Sequence, residues 1–143
     1  MLYRIMNIPD EKKFLKYVLQ RSKYVSFFSF KSDHKKFLVP SYYEFLERIE
    51  KFKFEPVRIE YARYQHYRSG QKFHYYTLTD ELKEIILSYS LKDWNYPTLL
   101  EDIAFYNAKE AWFFIISHED MIFLNTDFPK LIEDILDMGI KLS

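Results

Sequence analysis

The residues best placed to do chemistry lie in three short segments. Ser117-His118-Glu119-Asp120 sets an imidazole beside two carboxylates, types that share a proton near neutrality or hold a metal ion. A zinc-protease helix needs H-E-x-x-H, whereas this tetrapeptide is expected between two strands, where adjacent side chains face opposite sides. The reading that this spacing favours is a polar turn with a locally bonded histidine. Glu101-Asp102 and Glu133-Asp134 are paired carboxylates, and acid–base work requires such pairs to converge on one substrate. The second pair reads as the wet face of a helix. Ser26, Ser88 and Ser117 lack a nucleophile-elbow motif. No catalytic residue and no metal ligand is therefore assigned from these patterns.

The second segment runs from Tyr61 to Tyr76 and alternates aromatics with Arg63, Arg68 and Lys72. Three readings suit it. Cations neutralise phosphates while Tyr64 and Tyr67 stack bases, as in single-stranded nucleic-acid binders. Tyr and Arg also dominate protein–protein hot spots. A twisted ribbon stabilised by cross-strand aromatic pairs needs the same residues without any ligand.

Composition removes several classes. Two glycines among 143 residues, against about ten at ordinary usage, leave no Walker loop or dinucleotide fingerprint, which need glycines for close backbone approach to phosphate. Zero cysteines exclude disulfides, thiolate metal sites and cysteine nucleophiles, and fit a reducing compartment, so the cytoplasm is expected. No secretion signal and no membrane span is expected either. The net charge of zero hides an asymmetry: residues 1–76 hold sixteen Lys/Arg against eight Asp/Glu, and residues 77–143 hold five against thirteen. Charged-surface recognition follows if the two segments occupy different faces, and fails if they interleave.

The elements that must position these residues follow from periodicity. Helices are expected over Asp10–Gln20, from a Ser41/Glu44 capping box to Phe52, from Thr79 to about Tyr89, and from Asp127-Phe128-Pro129 to Gly139. In the last, Leu131, Ile132, Ile135 and Leu136 supply the apolar face. Tyr24–Phe30 alternates as a strand, and Val57–Leu78 reads as a long hairpin turning at Ser69-Gly70. Trp94 falls in a loop. Three apolar runs, Ile103–Tyr106, Trp112–Ile116 and Met121–Leu124, predict a three-strand meander. The expected fold is a single α+β domain over 1–143, a mostly antiparallel sheet packed with about four amphipathic helices.

The third segment is Leu100-Glu-Asp-Ile-Ala-Phe-Tyr106, with Trp112 and the Ser117-His-Glu turn behind it. This series resembles a small bacterial family labelled as stage III sporulation protein of the AH type, whose members carry a similar P-E-D-L-x-F-Y, W and H-E series. The resemblance marks Glu101, Asp102, Phe105, Tyr106, Trp112, His118 and Glu119; Leu100 stands where the family has proline. In size and composition the chain also resembles immunity proteins, which neutralise toxins in the cytosol. The expectation is a non-enzymatic cytoplasmic protein, without cofactor, that binds a protein partner as an immunity-type inhibitor. Its expected contacts are Arg63, Tyr64, Tyr67 and Arg68, or an acidic face with Asp93, Glu101, Asp102, Glu119 and Asp120; Trp94, Trp112 and His118 are further binding candidates. Single-stranded nucleic-acid binding through hairpin 57–78 is the alternative, and a homodimer joining basic and acidic halves is a third arrangement.

Overall fold

The computed structural model describes residues 1–30, 40–55, 71–95, 99–108 and 110–143. The first arm and tip of the expected hairpin, with Arg63, Tyr64, Tyr67 and Arg68, lie outside them. Among the described residues, eight strands form one sheet: β1 Leu2–Asn7, β2 Tyr24–Phe30, β3 Lys53–Phe54, β4 Gln71–Thr77, β5 Glu101–Tyr106, β6 Ala111–Ile116, β7 Met121–Asn125 and β8 Lys141–Leu142. Their order is β3-β4-β2-β5-β6-β7-β1-β8, and adjacent strands run antiparallel. The helices are α1 Glu11–Gln20, α2 Pro40–Ile49, α3 Asp80–Leu87 and α4 Pro129–Asp137. The domain is thus α+β, with the expected meander in β5, β6 and β7. No helix among the described residues is long and apolar enough to cross a membrane.

Local chemistry sets the element boundaries. The Asp10 carboxylate accepts from Lys13 N–H at 3.1 Å and Thr79 Oγ1 accepts from Leu82 N–H at 3.2 Å, satisfying orphan donors at the starts of α1 and α3. Pro129 opens α4, where its missing N–H costs no hydrogen bond. After α4, Gly139 takes φ +79°, a left-handed conformation that glycine adopts without a Cβ penalty. Helix α2 already includes Pro40, so Ser41 sits inside the first turn rather than capping it; the fixed φ of proline suits the first helical position. Strands β1 and β8 were not expected, and β1 fills the gap between β7 and β8.

The main core lies between the sheet and the helices. Phe14, Val18 and Leu19 of α1, Phe45 and Ile49 of α2, Leu82 and Ile86 of α3 and Ile135 of α4 share one cluster with Val25, Phe27, Phe105, Phe113 and Leu124. Alternate strand residues face the other way, where Ala104, Tyr106, Ala111 and Phe114 are buried with Tyr24, Phe54, Tyr75 and Phe123 against them. Trp94, expected in a loop as a contact, is a core residue at 1% exposure. Its indole stacks on Phe27 at 5.0 Å and meets Phe45 and Tyr89 edge-on at 5.2 and 5.5 Å. Burying so large a ring outweighs the loop position of its backbone.

Among the described residues, early basic and late acidic elements meet at two places. Basic α1 meets acidic α4, where the Tyr17 hydroxyl donates to Asp134 Oδ2 at 2.9 Å and Arg21 lies 4.0 Å from the same oxygen. Lys51, beyond α2, pairs with Glu81 of α3 at 2.9 Å. At these contacts the two segments of the chain lie side by side rather than on opposed faces.

Two outcomes test this packing. Trp94→Ala lowers unfolding free energy by about 3–5 kcal/mol through lost burial and a residual cavity, read by denaturant melts. Hydrogen bonds from Lys130 and Tyr17 hold the Asp134 carboxyl below its ordinary 3.8, so its stabilisation is present above 3.8 and lost as pH falls through the folded value. In Tyr17→Phe the Asp134 titration followed by NMR moves up toward 3.8, and acidification costs less stability than in the parent.

Candidate functional site

At the start of β5 the register with β2 slips: Ser26 faces Ala104, but Phe28 faces Glu101. Three steps along β5 span two along β2, so one extra residue is accommodated in a bulge. Asp102 takes up the slack with φ +53°, in the left-handed region that Asp tolerates better than most residues. A bulge breaks the alternation of side chains, and here it turns two adjacent carboxylates into neighbours. Glu101 and Asp102 are 9% and 7% exposed. The expected strand began at Ile103, whereas β5 begins at Glu101 and includes both carboxylates.

The turn between β6 and β7 is fastened to that bulge. Ser117 N–H donates to Asp102 Oδ1 at 2.7 Å, Asp102 N–H donates back to Ser117 Oγ at 3.0 Å, and the Ser117 hydroxyl donates to the Trp94 carbonyl at 2.7 Å. Ser117–Glu119 forms a single 3₁₀ turn, closed by Asp120 at φ +52°. The turn presents His118, whose side chain is 60% exposed, with Nε2 3.8 Å from Glu119 Oε1. One donor atom each from Glu101, Asp102 and His118 lies within 4.8 Å of the other two. Burial pushes the Asp102 carboxyl above its ordinary value; the Ser117 hydrogen bonds and nearby His118 oppose this, while Glu119 adds to it. The group is able to share a proton or a cation.

The other expected contacts fall elsewhere. Asp93 accepts from the Ser90 N–H and hydroxyl at 2.8 and 3.1 Å, closing a capping box. Trp112 is 8% exposed and its indole N–H donates to Ser22 Oγ at 2.9 Å, so like Trp94 it offers the interior rather than a contact surface. Ser29 Oγ lies 2.7 Å from His74 Nε2 across β2 and β4. Sequence spacing ties no serine to a histidine 45 residues away; only strand register does, and the bond acts as a cross-strand tie.

A second exposed feature lies on α4. Only Ile135 of this helix is buried, with Leu131 and Met138 packed beside it against the core. Phe128, Ile132 and Leu136 follow at intervals of four on the adjoining flank, where Phe128 is 72% and Leu136 50% exposed and Ile132 is half-buried. Ile132 and Leu136, expected to face inward, therefore extend the apolar band beyond what the core covers. Glu133 and Asp137 stand exposed on the same helix. The i, i+4, i+8 spacing was readable in the sequence, but which part of the band faces the core was not.

Compared with protein-family models, with curated proteins and with solved structures, the chain matches none.

Replacing Asp102 tests the clip directly. Asp102→Ala loses the acceptor for Ser117 N–H and the side chain that eases a left-handed backbone, at about 2–4 kcal/mol in a denaturant melt. Asp102→Asn keeps an amide oxygen and tolerates the same φ, and retains more than half of that stability.

Proposed function

We propose that the protein acts by binding a protein partner, as an immunity-type inhibitor does, and that the outer flank of α4 is the contact. The observation that carries this reading is the exposed band of Phe128, Ile132 and Leu136. Full burial of one such side chain stabilises a complex by about 1.5–3 kcal/mol, and a few buried anchors of this kind supply most of the energy of an interface. Glu133 and Asp137 beside the band favour a partner that sets apolar side chains among Lys or Arg. A second copy of the chain is disfavoured, because a two-fold contact brings this acidic edge against itself. A cytoplasmic setting belongs to this reading, supported by the absence of cysteine.

The test is capture by the tagged chain from nuclease-treated lysate of its native host, beside Phe128→Ser, Leu136→Ser and the Glu133→Lys/Asp137→Lys pair. The expected outcome is one stoichiometric protein, retained by the parent, lost with either apolar replacement and weakened by charge reversal, while melting temperatures stay within the parent's range. Capture indifferent to all three variants, no captured protein, or retention that nuclease abolishes would each overturn it.

A further inference from the structure

We propose that Glu101, Asp102 and His118 bind a divalent first-row transition ion at the junction of the β5 bulge and the β6–β7 turn. This goes beyond partner binding and rests on a different part of the fold. The donor set is one imidazole and two carboxylates within 4.8 Å of one another, the carboxylates from adjacent residues of β5 and the imidazole from the turn that follows β6. Mixed nitrogen and oxygen donors of this kind suit zinc, cobalt or manganese better than calcium or magnesium, which favour oxygen alone.

Three features prepare the site. The Asp102 carboxylate is oriented by the 2.7 Å bond from Ser117 N–H, the kind of outer support that fixes a ligating group. The peptide that carries His118 is held by the same serine, through the return bond from Asp102 N–H and the bond to the Trp94 carbonyl. Donors about 2.1 Å from a tetrahedral ion stand about 3.4 Å apart, so closure asks for a small inward swing. The exposed imidazole can make that swing toward the buried Glu101 and the Asp102 carboxylate that Ser117 N–H holds. Glu119 Oε1 lies 3.8 Å from Nε2, close enough to help orient the ring. Three protein donors leave a coordination position open to solvent on the His118 side, as in metal sites that accept a further ligand.

The experiment uses the full chain, stripped with chelator and titrated with Zn²⁺ by calorimetry and with Co²⁺ by visible absorption. The expected result is one ion per chain, ligand-field bands in the cobalt form, a melting temperature raised by Zn²⁺ and no competition from equimolar Mg²⁺. His118→Ala and Glu101→Gln each weaken Zn²⁺ binding by at least about tenfold. Because the His118 ring is largely exposed, His118→Ala keeps the parent's metal-free melting temperature, which separates loss of a ligand from loss of fold. Absence of saturable binding, or binding that both replacements leave unchanged, would overturn the assignment. Either result leaves capture through α4 unaffected, so the two proposals stand or fall separately.

Discussion

The reciprocal bonding of Ser117 and Asp102 is the constraint on which this end of the molecule depends. Two hydrogen bonds between the same residues join the bulge of β5 to the turn after β6, and a third runs from the Ser117 hydroxyl to the Trp94 backbone. Trp94 is in turn wedged among Phe27, Phe45 and Tyr89. A polar corner at the protein surface is thereby anchored in the aromatic centre of the core. The left-handed backbone at Asp102 carries a conformational cost of about 1–2 kcal/mol, and the bonds its carboxylate and N–H make to Ser117 offset it.

The helices and the meander were legible because they depend on local pattern. Asp10, Thr79 and Gly139 mark helix ends by their own chemistry, and the apolar runs of β5, β6 and β7 are separated by polar turns. What stayed hidden depends on non-local pairing. Strand β1 alternates Leu2, Arg4 and Met6 with Tyr3, Ile5 and Asn7, a pattern too mixed to mark a buried face, and it becomes a strand by pairing with residues 122–125 and with β8. The candidate site divides in the same way. Glu101, Asp102, His118 and Glu119 stood out individually, but an alternating strand would have kept the two carboxylates apart. One extra residue in β5, invisible without register, reverses that. Trp94 and Trp112 stood out for their size, and size is the reason they are buried.

Charge shows how a sequence property is redistributed where early and late elements meet among the described residues. An excess of cations in one half of the chain and of anions in the other suggests two opposed poles. The order of the sheet instead brings early and late elements side by side, and Tyr17, Arg21 and Asp134 meet across that boundary. The exposed surface pairs of this kind contribute little each. The large exposed apolar side chains of the described surface are Phe128 and Leu136 at α4 and Met1, Leu2 and Met6 at β1.

The placement of β1 between β7 and β8 bears on how the chain is made. During synthesis residues 2–7 emerge long before residues 121–125 exist, an interval of about 6–20 s at ordinary rates of elongation. Throughout it, Leu2, Tyr3, Ile5 and Met6 lack the strands that later flank them. Strands β5, β6 and β7 pair between near neighbours in sequence, whereas the β1–β7 pairing closes only when two distant segments of the chain meet. That closure is the high-contact-order step, and the nascent chain must keep an unpaired apolar strand from other partners until it happens.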